Sequence, residues 1–210
     1  MVKDTSFEWI GGQVALDFTN TVTWRRDGVD RERLRSYADL LKWSGQAGLL
    51  QTATVVALQK AARARPKAAA AAHRDALRAR AALHALFVAL ATGRRTPADV
   101  LASLNTWIRG AMTHLALRSD GHRVSVGWDA VGRLDRPLWP LLKATVDLLT
   151  SSEVSHLRLC ANPECGWVFI DRSRKGNRRW CSMRECGSRA KARAYYHRQR
   201  SKLSAAHPAR

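Results

Sequence analysis

Two periodicities run along this chain, and the helical one dominates. Val14, Phe18, Thr21 and Val22 repeat at helical spacing, so a helix is expected from residue 14. Ahead of it, Phe7-Glu8-Trp9-Ile10 reads as a short strand ended by Gly11-Gly12, and Asp27-Gly28 marks a loop. A helix over 33–45 puts Leu34, Leu41 and either Tyr37 or Ala38 on one face. Residues 52–65 form another helix, stopped by Pro66. Pro66 suits the first turn of the next helix, because its missing N–H has no partner there anyway. That helix is alanine-rich and runs towards Thr92, with Leu83, Leu86, Phe87 and Leu90 as its apolar stripe and Gly93 as its left-handed cap.

Thr96-Pro97-Ala98-Asp99 signals a helix start, with Thr96 as cap and Pro97 at the first position. Val100, Leu104, Trp107 and Ala111 then share a face. Strand alternation takes over at residues 115–126, around Asp120-Gly121. A two-residue turn there would pair Leu117 with Val124 and Leu115 with Val126. A last body helix over 141–150 ends in the polar hinge Ser151-Ser152-Glu153. The expected fold is mainly α with a small antiparallel β component. A helical body containing a hairpin, residues 1–153, precedes a small finger at 154–203 and a frayed end at 204–210.

Charge changes the picture. The 210 residues carry a formal net charge of +19. Residues 156–202 hold thirteen Lys/Arg against three acids, while 1–155 hold twenty-two against fourteen. Such an excess favours polyanions, nucleic acid first and an anionic membrane surface second. No apolar leader is visible in MVKDTSFEWIGG, and no apolar run is long enough to span a bilayer. A cytoplasmic, nucleoid-associated protein is the expectation, with no membrane partner.

All four cysteines, Cys160, Cys165, Cys181 and Cys186, fall in one stretch with spacing C-x4-C, fifteen residues, C-x4-C. In a reducing compartment this pattern favours a metal over disulfides. Four thiolates close a tetrahedral zinc site and leave no position for water, so the zinc is structural and not catalytic. Trp167-Val168-Phe169-Ile170 can form a strand between the pairs, in the manner of a zinc ribbon or treble clef. Unligated thiols, a disulfide pair, an iron–sulfur cluster and a redox-sensing zinc site are the alternatives.

A basic helix is expected over 188–202, with Ser188 as its N-cap. Arg189, Arg193 and Arg200 line one stripe; Lys191, Arg198 and Lys202 line the opposite one. Ala190, Ala194, His197 and Ser201 form a narrow edge suited to packing on the finger. A helix of this size fits the major groove of double-stranded DNA. Arg178 and Arg179 would add phosphate contacts. Tyr195, Tyr196, Trp167 and Trp180 could instead stack RNA bases.

The residues Cys160-Ala161, Cys165-Gly166-Trp167, Phe169, Asp171 and Ser173, then Arg179-Trp180-Cys181-Ser182-Met183 and Cys186-Gly187-Ser188-Arg189, closely resemble the CGNR zinc-finger family. Ser188 stands where the family name places Asn. Ala15-Leu16-Asp17-Phe18, Asn20-Thr21, Leu34, Tyr37, Asp39-Leu40 and Trp43 look like the body domain that accompanies this finger. The resemblance implies zinc ligation by the four cysteines, DNA binding and a stress-induced bacterial transcription regulator. An effector or a second, identical subunit would then engage the body. Asp17, Asn20 and Thr21 form either a ligand site or a hydrogen-bonded corner. No nucleophile elbow, paired acids or phosphate-cradling glycine loop supports an enzyme, and His73, His84, His114, His122 and His156 are scattered. An enzymatic body anchored by the finger remains the lower alternative.

Overall fold

The computed structural model describes residues 7–25, 28–129 and 132–206. It is mainly α, with three separate two-stranded antiparallel sheets. The elements run α1 Val14–Thr19, β1 Val22–Arg25, β2 Gly28–Glu32, α2 Tyr37–Gln46, α3 Thr52–Ala64 and α4 Pro66–Ala91. Then come α5 Ala98–Met112, β3 Leu115–Ser119, β4 Val124–Trp128, α6 Leu138–Thr150, β5 Leu157–Leu159, β6 Val168–Ile170 and α7 Ser188–Ala206.

The short α1 is buried almost completely, with Ala15, Leu16 and Phe18 inaccessible to solvent. It packs on the long α4 and on α6. Trp43 of α2 lies in this core against Phe18, with ring centroids 5.1 Å apart. The core extends into the finger: Leu157, Val168 and Ile170 belong to the same buried cluster as α1, α4 and α6.

Local chemistry fixes the helix ends. Ser36 caps α2 by accepting from Asp39 N. Pro66 opens α4 at its first turn. Gly93 takes φ +66°, and Arg94 N reaches back to Ala89 O at 2.8 Å, so the cap at the end of α4 is left-handed as expected.

Several expectations need correction. Residues 7–10 form no strand. Thr96 does not cap α5; the residue before the helix is Pro97, without a side-chain cap bond. Asp27 of the Asp27-Gly28 signal lies outside the described residues; β1 and β2, on either side of it, pair as an antiparallel ribbon. The β3–β4 hairpin exists with its register displaced by two: Leu117 pairs with Val126, and Ser119 with Val124. The cause is the Asp120 carboxylate, which accepts from His122 N and Arg123 N and spreads the turn over four residues. A shift of two preserves the faces, so Leu117, Val124 and Val126 stay on one side, where they are exposed.

Candidate metal centre and nucleic-acid interface

Strands β5 and β6 bring the first cysteine pair together: Cys160 N donates to Trp167 O at 2.8 Å just beyond the ladder. The loop between them turns at Gly166, φ +65°, where an added Cβ would stand 2.6 Å from Trp24 Cβ. Only glycine fits there. Of the second pair, Cys186 sits on a π-helical turn, Met183–Gly187, that leads directly into α7, and Cys181 lies two residues before it. Ser182 caps this turn by accepting from Glu185 N at 3.3 Å. Ser188 is already helical and donates to Met183 O, so the expected Ser188 cap is replaced by Ser182 six residues upstream. The Ser182-x-x-Glu185 spacing of a capping box was the available signal.

All four Sγ atoms lie within 4.8 Å of one another and are buried. Cys165 and Cys181 are 3.5 Å apart, and Cys181 and Cys186 3.6 Å. Those separations match the edge of a tetrahedron, about 3.8 Å, implied by Zn–S bonds of about 2.3 Å. The cysteines are not joined by disulfides. Hydrogen bonding from Cys165 and Cys181 pulls the Cys160 thiol down, while bonding to Cys160 pushes Cys165 and Cys181 up. The cluster accepts one negative charge readily and opposes the next, which is what a divalent cation relieves. The four cysteines are thus arranged to hold one metal ion, and the donor set fits a structural zinc. Asn162, fully buried, donates to Cys186 Sγ at 3.4 Å and accepts from Arg193 at 2.8 Å. It is a partner of the ligands that the sequence reading missed.

Asp17, Asn20 and Thr21 are buried, and each makes hydrogen bonds within the protein. Asp17 accepts from Gly11 N at 2.7 Å. Burial raises its carboxyl to about 6, against the opposing bonds from Gly11 and Ile10. Thr21 donates to Phe18 O and accepts from Arg80, which also grips Glu32 in an ion pair. Asn20 reaches the finger itself, donating to Val168 O and accepting from Val168 N.

Further bonds join finger to body. Trp167 Nε1 donates to Val22 O at 2.7 Å. His84 stacks on Trp24 at 4.0 Å and its Nε2 meets Gly166 O at 2.7 Å. Burial lowers His84 to about 4, so the ring is neutral and Nε2 carries the donated proton. Arg178 turns inward, donating to Trp180 O, Ile10 O and Cys181 O, with its guanidinium 4.2 Å above the Phe169 ring. Its donors are committed to the joint between finger and body.

The basic helix α7 leaves the finger after its first turns. Ala190 and Arg193 are half-buried, whereas Ala194 is exposed, so the packing edge is narrower than Ala190 and Ala194 implied. Arg189, Lys191 and Arg198 are exposed and form no ion pair among the described residues. Arg179 is exposed, with its guanidinium 5.4 Å from the Trp180 ring centroid. The helix continues to Ala206, beyond the expected end at Lys202, while residues 207–210 lie outside the described residues. The side chains of Arg200, Lys202, His197 and Ser201 are also outside the described ones. No helix among the described residues is long and apolar enough to cross a membrane.

Comparison with known proteins agrees with this architecture. No curated protein matches the chain. Residues 156–199 match the family model of the CGNR zinc finger, which contains all four cysteines and most of α7. Residues 12–152 match the ABATE model, described as "Putative stress-induced transcription regulator". That match spans α1 to α6, well over half of the chain; the chain therefore belongs to the ABATE family, with a CGNR zinc finger at its C-terminal end.

Proposed function

We propose that this protein is a zinc-dependent regulator that binds double-stranded DNA through α7. One observation carries the reading: a helix with exposed cations on opposite stripes leaves directly from the turn that holds the last metal ligand, Cys186. The metal therefore sets where Arg189, Lys191 and Arg198 point, and Arg179 adds a contact from the finger. Arg side chains suit guanine edges and phosphates; Lys suits phosphates. The protein works by binding, without catalysis, in the cytoplasm of a bacterium under stress.

The body has room for the other two expected roles. A groove of about 580 Å³ lies between the α2–α3 corner and the hairpin, floored by Leu49, Leu50 and Leu58 and flanked by Arg118. It is the place for a small effector with an acidic group. The exposed face of Leu117, Val124 and Val126 carries no charge, so two copies of a very basic chain can meet there. A homodimer would set two fingers on paired half-sites.

The test is selection of bound fragments from a random duplex pool by the zinc-loaded protein, with structured RNA as competitor at fixed salt. Enrichment of one sequence motif supports the reading. Preferential capture of RNA would replace it with RNA binding, for which the exposed Tyr195 and Tyr196 offer stacking surfaces.

A further inference from the structure

Between the body and the finger runs a cleft of about 840 Å³. Its body wall is formed by β2 and the segment after it, and its finger wall by the metal turn and the start of α7. The cleft contains acids as well as cations, so its sign depends on which of them are already paired.

Glu8 is held by Arg33 at 2.9 Å. Glu32 is held by Arg80, which reaches it from α4. Glu164 has Arg193 of α7 at 3.9 Å. Among the described residues, Arg31, Arg35 and Arg189 form no close ion pair; Glu8 acts on Arg31 at longer range, and Glu185 stands unpaired on the finger side. Below them lies Arg33, nine-tenths buried, 5.3 Å from the Trp167 ring centroid and with Nη1 unpaired. The body lip is therefore cationic, and Arg189 faces it from the finger lip beside Glu185. Arg35 Nε is fixed on Glu32 O at 3.3 Å and its side chain remains exposed, as does that of Arg31.

Hydrogen bonds join the two lips. Asn20 holds β6, Trp167 holds β1, and His84 holds the Gly166 turn, so the body ribbon and α7 form one surface. A polyanion that engages the first turn of α7 through Arg189 meets Arg31 and Arg35 across the cleft mouth. An open cleft with cations on both lips suits a continuous backbone better than a small enclosed anion.

We propose that Arg31 and Arg35 of the body are DNA phosphate contacts, and that the duplex backbone lies across this cleft beside α7. This rests on the reading of α7 as the DNA-binding element. It places part of the nucleic-acid interface in the ABATE portion of the chain, outside the finger.

The experiment measures the affinity of the full-length, zinc-loaded protein for one duplex across a salt series. The variants are Arg31→Ala/Arg35→Ala and, as a control of equal charge change on α3 outside the cleft, Lys60→Ala/Arg63→Ala. Zinc content and melting temperature are recorded for each, and Arg31→Gln/Arg35→Gln replaces the alanine pair should that fail to fold. The expected result is a log–log salt slope shallower by about two for the cleft pair, with the control slope at the wild-type value. An unchanged slope in a folded cleft variant, or an equal loss in the control, overturns the contact while leaving α7 as the DNA element. Absence of duplex binding by the wild-type protein overturns the DNA reading, and this contact with it.

Discussion

The Asn20 carboxamide takes the place of a neighbouring strand for Val168: Nδ2 donates to Val168 O at 2.9 Å, and Oδ1 accepts from Val168 N at 3.2 Å. Both residues are buried, 148 positions apart in sequence. β6 already pairs with β5 on its other edge, so this single side chain satisfies the backbone that the sheet leaves open. The body helix and the finger strand consequently share one polar joint inside one apolar core.

Replacing Asn20 should therefore loosen the finger without touching a metal ligand. Asn20→Ala leaves a buried N–H and a buried C=O unsatisfied, at a cost of about 1–3 kcal/mol each. The expected outcome is a lower melting temperature and faster amide exchange at Val168, with one zinc still bound per chain. Wild-type exchange at Val168 in the variant would refute the role assigned to Asn20.

The metal itself is a harder requirement. Cys181 is buried against the other three sulfurs and precedes the capped turn that launches α7. In Cys181→Ser, zinc measured by elemental analysis should fall from one per chain to none, and the helical signal of α7 should weaken with it. A variant that retains stoichiometric zinc would remove Cys181 from the ligand set.

Ser182 and Ser188 exchange the roles that spacing alone suggests. Ser182→Ala removes the bond from Glu185 N and should cost about 1 kcal/mol, as capping losses do. Ser188→Ala removes only an exposed bond to Met183 O and should cost less. Denaturant titration of the two variants decides the order; a larger loss for Ser188→Ala would restore it as the cap.

Much of this was legible in the chain. The four-cysteine spacing, the Gly93 end of α4 and the basic α7 follow from short-range rules, and each is found; of the α4 stripe Leu83, Leu86 and Phe87 are buried, while Leu90 is exposed. What was not legible depends on contacts far apart in sequence. Asp17, Asn20 and Thr21 could be read as a ligand site or a corner, because nothing local shows that Val168 and Arg80 arrive there. Arg178 reads as a surface cation until Phe169 and the carbonyls of Ile10, Trp180 and Cys181 surround it. The hairpin register failed for a different reason: the Asp120 side chain competes with the two-residue turn, and sequence alternation is blind to a shift of two.

Two buried groups give stability opposing dependences on pH. Asp17 is raised to about 6 by burial, so its contribution is fully present below its ordinary value near 4 and is lost as pH rises through 6. His84 is lowered to about 4, so its contribution is present above 6.5 and is lost as pH falls through 4. Between pH 4 and 6 the two slopes oppose each other. Asp17→Asn, which can still accept from Gly11 N, should expose the His84 slope: stability then falls on acidification across this window, by an amount on the order of 1–2 kcal/mol after screening. Urea midpoints at several pH values provide the check, and parallel curves for wild type and Asp17→Asn would exclude Asp17 as a titrating group.

The last prediction separates metal support from DNA contact at Arg193. Its guanidinium donates to Asn162 Oδ1, and Asn162 Nδ2 lies against Cys186 Sγ, so α7 is tied to a ligand sulfur through one carboxamide. Donors to a metal-bound thiolate hold it in place and moderate its charge, and losing such a partner typically weakens metal binding about 10–100-fold. Asn162→Ala should release zinc to a chelator faster by that order. Arg193→Ala should also speed release, by less, because Asn162 keeps its place through Glu164 N at 3.3 Å. If Arg193→Ala flattens the salt dependence of DNA binding and leaves the chelator rate unchanged, Arg193 serves phosphate and the tie to Asn162 is incidental. If the chelator rate rises while the salt slope stays, the guanidinium belongs to the metal centre, and the phosphate contacts of α7 begin with Arg189, Lys191 and Arg198.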